Sequence, residues 1–210
     1  MTEATPSARM AEAVRTIVSE ADAMTALAGG DLRYAEYACD IAEAGRHLLG
    51  VMASATPADS ARTTTHERLD LADLVERACA MVALRAADKR ITLVPPAGSP
   101  TAALGHTQSI LQILVNLLTN AVKFTPEGGC VMVAVTTVNS RVMLDVIDDG
   151  PGVPFDHADR VFADFERTLA SDGVGLGLPI SRDLARAMGG DLHLIQSDTG
   201  ACFRLTLAAV

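Results

Sequence analysis

Two stretches in the C-terminal half alternate apolar and polar residues with a period of two, and each folds back on itself through a turn. CVMVAVTT (130–137) and RVMLDVID (141–148) flank Val138-Asn139-Ser140, while GDLHLIQS (190–197) and ACFRLTLAA (201–209) flank Asp198-Thr199-Gly200. Alternation puts every second side chain on one face, so each pair predicts a half-buried β-hairpin. A sheet with one apolar face needs a cover. LDLADLVERACAMVALRAADKR (69–90) and HTQSILQILVNLLTNAVKF (106–124) both carry helical periodicity, ITLVPP (91–96) reads as a short strand, and Gly128-Gly129 introduces the strands that follow. The expected fold is α+β, an α/β sandwich with a mixed, mostly antiparallel sheet covered on one face.

The N-terminal segment has a different texture. Met10, Ala13, Val14, Ile17, Ala21 and Met24 recur at helical spacing. After the break at Gly29-Gly30-Asp31, so do Ala38, Ile41, Ala42, Gly45, Leu48, Leu49 and Met52. This predicts an antiparallel helical hairpin over 1–55. Such a hairpin leaves apolar surface that a second copy would cover as a four-helix bundle, so a homodimer is expected. The polar, proline-broken stretch at 56–68 predicts a linker, with the α+β domain over 69–210.

Composition excludes several classes of partner. The 210 residues are 49% hydrophobic and carry a net charge of −9, from 17 Lys+Arg against 26 Asp+Glu. That balance disfavours nucleic acid and anionic membranes, whose binders depend on positive surface. No apolar run approaches the roughly 20 residues needed to span a bilayer. The four cysteines are widely separated, without a zinc or disulfide pattern, which fits a reducing cytoplasm.

Three motifs carry chemistry. In NLLTNAVKFTP, Asn116, Asn120 and Lys123 fall on one helical face beside buried leucines and valines. Asp148-Asp149-Gly150-Pro151-Gly152 follows directly on a strand, where an acidic side chain can enter a cavity while glycines let backbone pass close by. Gly173-Val174-Gly175-Leu176-Gly177 opens a helix with Pro179 in its first turn, an arrangement that can turn free N–H groups toward phosphate oxygens. Asp149 reads as a turn residue, and Gln112 as a surface amide.

In order and spacing, these motifs together with Phe162-Ala163-Asp164-Phe165 resemble the ATP-binding domain of sensor histidine kinases, within the class that includes gyrase-type ATPases. The resemblance runs from about Leu69 to the C-terminus. It implies that Asp148 accepts from the adenine amino group while Gly150 and Gly152 let the backbone approach the ring. Asn120 would coordinate Mg²⁺, with Asn116 assisting, and Lys123 would contact phosphate. Gly173, Gly175 and Gly177 would line the triphosphate. Phe162 and Phe165 would anchor a lid, with Arg167 near phosphate. ATP and Mg²⁺ are the implied cofactors, and a response regulator or phosphotransfer protein the implied partner. Hydrolysing relatives of the fold carry a glutamate one turn before the magnesium asparagine. Asn116 stands there instead and has no basicity for activating water, which favours phosphoryl transfer over hydrolysis.

The front of the chain departs from the family pattern. Its first hairpin helix would carry a phosphoacceptor in a motif like His-Glu-Leu-Arg-Thr-Pro, yet no histidine precedes His47. His47 falls on the second helix, where a packing role is expected, and His66 lies in the linker. The implied function is a histidine-kinase-like, ATP-dependent phosphotransferase of a two-component system whose acceptor lies on a partner. The alternative is a non-catalytic ATP-binding adaptor that docks a response regulator. A serine kinase of the anti-sigma-factor type shares the fold, but the hairpin argues against it.

Overall fold

The computed structural model describes residues 6–27, 41, 45, 67–97, 101–154, 157–158, 160–163, 177–197 and 199–210. Contacts divide the chain into two compact units, Met1–Thr63 with Ala163–Gly177, and Thr64–Phe162 with Leu178–Val210.

In the first unit, α1 (Pro6–Leu27) buries Ala21 and leaves Ile17 and Met24 exposed. Gly45 lies against this helix, since a Cβ there would collide with the Val18 side chain. Apart from positions 41 and 45, the expected second hairpin helix lies outside the described residues, as do His47 and His66.

In the second unit, seven strands form one sheet. They are β1 (Glu67–Asp70), β2 (Thr92–Val94), β3 (Ala102–Gly105), β4 (Cys130–Val138), β5 (Arg141–Asp148), β6 (Asp191–Ile195) and β7 (Cys202–Ala209). The order is β1-β3-β7-β5-β4-β2, with β6 also paired to β7. Among the described residues only β2 and β4 run parallel, so the sheet is mixed and mostly antiparallel. The β4–β5 turn holds Asn139 and Ser140 at φ +49° and +58°, the left-handed pair of a two-residue hairpin whose twist matches its strands.

Alternation decides which face is covered. Val131 and Val133 on β4, Val142, Leu144 and Val146 on β5, and Leu205 and Leu207 on β7 join one core with α2 (Leu71–Asp88), α3 (Thr107–Phe124) and α4 (Gly177–Ala187). On the opposite face Asp145 and Arg204 sit opposite each other across β5 and β7 in a two-pronged ion pair, with both N···O distances 2.7 Å.

Two strands were not expected from sequence. Leu69 and Asp70, which read as the start of a helix, end β1 instead, and α2 begins at Leu71. Asp70 is its N-cap, its carboxylate accepting from Ala72 N at 2.9 Å. The strand therefore starts at Glu67, two residues inside the expected linker. β1 buries only Leu69 and exists because β3, equally short and also unforeseen, offers it a paired edge.

Candidate functional site

The helix α3 is strongly two-sided. Ile110, Ile113, Leu114, Leu117, Leu118, Ala121 and Val122 are buried, while Asn116, Asn120 and Lys123 lie half-buried along one edge. The two amides differ in their partners. Asn116 Nδ2 donates to Ser181 Oγ on α4 at 2.9 Å, whereas the Asn120 side chain makes no hydrogen bond among the described residues. Lys123 Nζ lies 5.8 Å from the Phe124 ring centroid and has no carboxylate partner among the described residues. Gln112 is exposed, as a surface amide should be.

The C-terminal end of α3 is held by a residue that the sequence did not advertise. Lys89, the C-cap of α2, donates from Nζ to the carbonyl oxygens of Val122, Lys123 and Thr125, each at 2.8 Å. An ammonium group has three donors, and all three are spent on the negative end of the helix. The Thr125 hydroxyl beside it is buried without a partner among the described residues.

Asp148 closes β5 and is only 5% exposed. Its Oδ1 accepts from Gly150 N at 2.8 Å and Ala201 N at 3.2 Å, and its own N–H donates to Ala201 O at 3.0 Å. Oδ2 has no donor among the described residues. Burial pushes this carboxyl above the usual aspartate range, opposed by the two backbone N–H groups. Asp149 is indeed structural, its Oδ2 accepting from Cys130 N at 2.8 Å.

The glycines of this loop are demanded by the protein's own backbone. A Cβ at Gly150 would stand 2.7 Å from Asp148 Oδ1 and 3.2 Å from Phe124 O. Gly152 has φ +72°, and a Cβ there would lie 2.8 Å from Gly200 O. The strand end, the α3 terminus and the β6–β7 turn are thereby drawn together around Asp148.

Phe162 packs on the core, edge-on to Phe203 with centroids 6.3 Å apart, and the Arg182 guanidinium covers its ring at 4.6 Å. Arg182 is fixed in turn by Asp191 at 3.0 Å. Gly177 is the first residue of α4. Phe165, Arg167, Gly173 and Gly175 lie outside the described residues.

No group of three or more His, Cys, Asp or Glu among the described residues could hold a metal ion. The oxygens on offer belong to the neutral amides of Asn116 and Asn120. Such a donor set fits Mg²⁺, which keeps several waters and takes much of its coordination from phosphate.

Residues 105–210 match the family described as histidine kinase-, DNA gyrase B- and HSP90-like ATPase. The chain belongs to that family. Among curated relatives of this ATPase, the adaptive-response sensory kinase SasA of Prochlorococcus marinus (strain MIT 9303) is 38% identical over 102 residues, covering 46% of this chain and 28% of the relative. The chain thus corresponds to well under a third of that kinase's length. The solved structure of the mycobacterial sensor histidine kinase MprB aligns with a TM-score of 0.63 at 27% identity, covering 69% of this chain and 97% of the solved chain. Full-length ShkA in complex with AMPPNP aligns with a TM-score of 0.68 at 27% identity over 98% of this chain and 45% of its own. The ATPase domain is of the sensor-histidine-kinase type, homologous to those of two-component sensor kinases, and ATP binding is the property of that domain. No helix among the described residues is long and apolar enough to cross a membrane.

Sequence reasoning overlooked three groups in this ATPase domain: Lys89, Ser181 and the backbone N–H of Ala201. Ser181 stands four residues after Gly177, but nothing in sequence pairs it with Asn116, 65 positions away.

Proposed function

We propose that this domain binds Mg²⁺-ATP and positions the γ-phosphoryl for transfer to an acceptor on a partner protein. The observation that carries the reading is Asp148, a buried carboxylate with one oxygen held by backbone N–H groups and the other without a donor among the described residues. That free oxygen suits the exocyclic amino group of adenine. Asn120, with Asn116 assisting, would hold Mg²⁺, which would screen the phosphate charge. Lys123 would contact phosphate as a point charge. Gly173, Gly175 and Gly177 would line the triphosphate, and Phe162, Phe165 and Arg167 would belong to the lid. Asn116 is no general base, so transfer to a side-chain nucleophile is favoured over hydrolysis. ShkA, whose structure holds AMPPNP, supports the choice of an adenine nucleotide.

In this reading residues 1–55 form a dimerising helical hairpin, 56–68 a linker and 69–210 the ATP domain, with a response regulator or phosphotransfer protein as the partner. The close approach of Gly45 to α1 and the exposure of Ile17 and Met24 support a paired helix and a second copy. The alternative of an ATP-binding adaptor rests on the lack of a histidine before His47.

The deciding experiment follows binding of a non-hydrolysable ATP analogue with and without Mg²⁺, then incubates the protein with γ-labelled ATP. Magnesium-dependent binding without self-labelling is expected. Acid-labile label on the chain would place the acceptor within it, with His47 and His66 the first sites to mutate. Failure to bind the analogue would overturn the assignment.

A further inference from the structure

Ser181 lies on α4, is 1% exposed, and has one side-chain partner among the described residues, the Asn116 amide on α3. A buried serine in a helix commonly bonds back to a carbonyl of its own helix. Here its oxygen instead receives an N–H from a different helix at 2.9 Å. An asparagine amide has a donor end and an acceptor end, and a hydrogen bond to either fixes the plane of both. With Nδ2 committed to Ser181, Oδ1 is the end left over, and it has no hydrogen-bond partner among the described residues. The flipped amide could still accept from the Ser181 hydroxyl but would turn its NH₂ toward a cation and repel it, so Ser181 holds the plane and a bound cation selects the orientation. Asn120 has no comparable anchor among the described residues.

We propose that Ser181 is a positioning residue that holds the plane of the Asn116 amide, with its side-chain oxygen toward the metal–nucleotide. The proposal rests on the assignment of Asn116 to the Mg²⁺ site and adds the device that holds its plane. Because α4 begins at Gly177, the same hydroxyl also couples the amide-bearing helix to the one following the glycine segment in sequence.

The test measures binding of a non-hydrolysable ATP analogue to the full chain, with saturating Mg²⁺ and with a chelator, for wild type, Ser181→Ala, Asn116→Ala and the double variant. Loss of a group that orients a metal ligand commonly costs 10–100-fold in metal affinity, so Ser181→Ala should weaken the magnesium-dependent component by about tenfold or more. Its effect in chelator should be far smaller, and it should add little once Asn116 is already alanine. In the nucleotide-free protein, the Asn116 side-chain NH₂ resonances should shift and exchange faster with water in Ser181→Ala. Equal losses with and without Mg²⁺, or additive effects of the two substitutions, would make Ser181 a packing residue and overturn the proposal. Wild-type binding that ignores Mg²⁺ would instead overturn the metal assignment, and this inference with it.

Discussion

The carboxylate of Asp148 and the backbone N–H of Ala201, 53 residues apart, meet at 3.2 Å and fasten the end of β5 to the start of β7. That bond, with the one from Gly150, consumes Oδ1 and leaves Oδ2 unpartnered among the described residues. Oδ2 is not sealed from solvent, so it is the acceptor that a ligand's N–H can reach.

Replacing Asp148 with asparagine therefore has opposite effects on binding and on stability. Hydrogen bonds to charged groups contribute about 1.5–3 kcal/mol, so Asp148→Asn should weaken adenine-nucleotide binding roughly ten- to hundredfold. The carboxyl's pKa is raised in the folded state, chiefly by burial, so its ionisation opposes folding. Its contribution to stability is fullest below the ordinary aspartate range and is lost as pH rises through the folded value. Near neutral pH the nucleotide-free variant should accordingly melt at a higher temperature than wild type, with the difference vanishing in acid. Calorimetry across pH checks this, and a lower melting temperature at neutral pH would contradict it.

Lys89→Met should loosen the terminus of α3. The substitution keeps the aliphatic stem but abandons three carbonyls and the helix-end charge interaction, a loss of about 1–3 kcal/mol. Urea unfolding reads the stability change. Amide exchange at 122–125 should rise more than exchange in β4 and β5, because only the helix end loses its cap.

Arg204→Ala should destabilise the sheet more than a double substitution that removes both charges. Asp145 is 9% exposed, so taking away its guanidinium partner strands a carboxylate at a cost of about 2 kcal/mol. Asp145→Val combined with Arg204→Val removes the charge along with its partner and should recover much of that loss. Denaturation midpoints of the three proteins decide it.

Cys202 should be the slowest of the described cysteines to alkylate. Burial, reinforced by Asp145, pushes its thiol up to about 11, so little thiolate exists near neutral pH. Iodoacetamide labelling followed by peptide mass analysis should show Cys202 lagging Cys79 and Cys130, with its rate still climbing above pH 9. Fast labelling at pH 7 would contradict the burial argument.

The sequence by itself determined the two hairpins, the apolar stripe of α3 and the face shared by Asn116, Asn120 and Lys123, because each is a local periodicity that the backbone geometry converts directly into direction. It also identified the family, since its motifs are short and ordered along the chain. It did not determine β1 and β3, each four residues long, which are strands only because neighbouring edges pair with them. Nor could it assign partners across the fold. Lys89 reaches carbonyls more than 30 residues away, Ser181 meets Asn116, and the glycines at 150 and 152 are small because Phe124 and Gly200 crowd them. Hydrogen bonding and close packing between distant segments depend on positions that exist only once the helices and the sheet have closed on one core, so only the tertiary structure decided them.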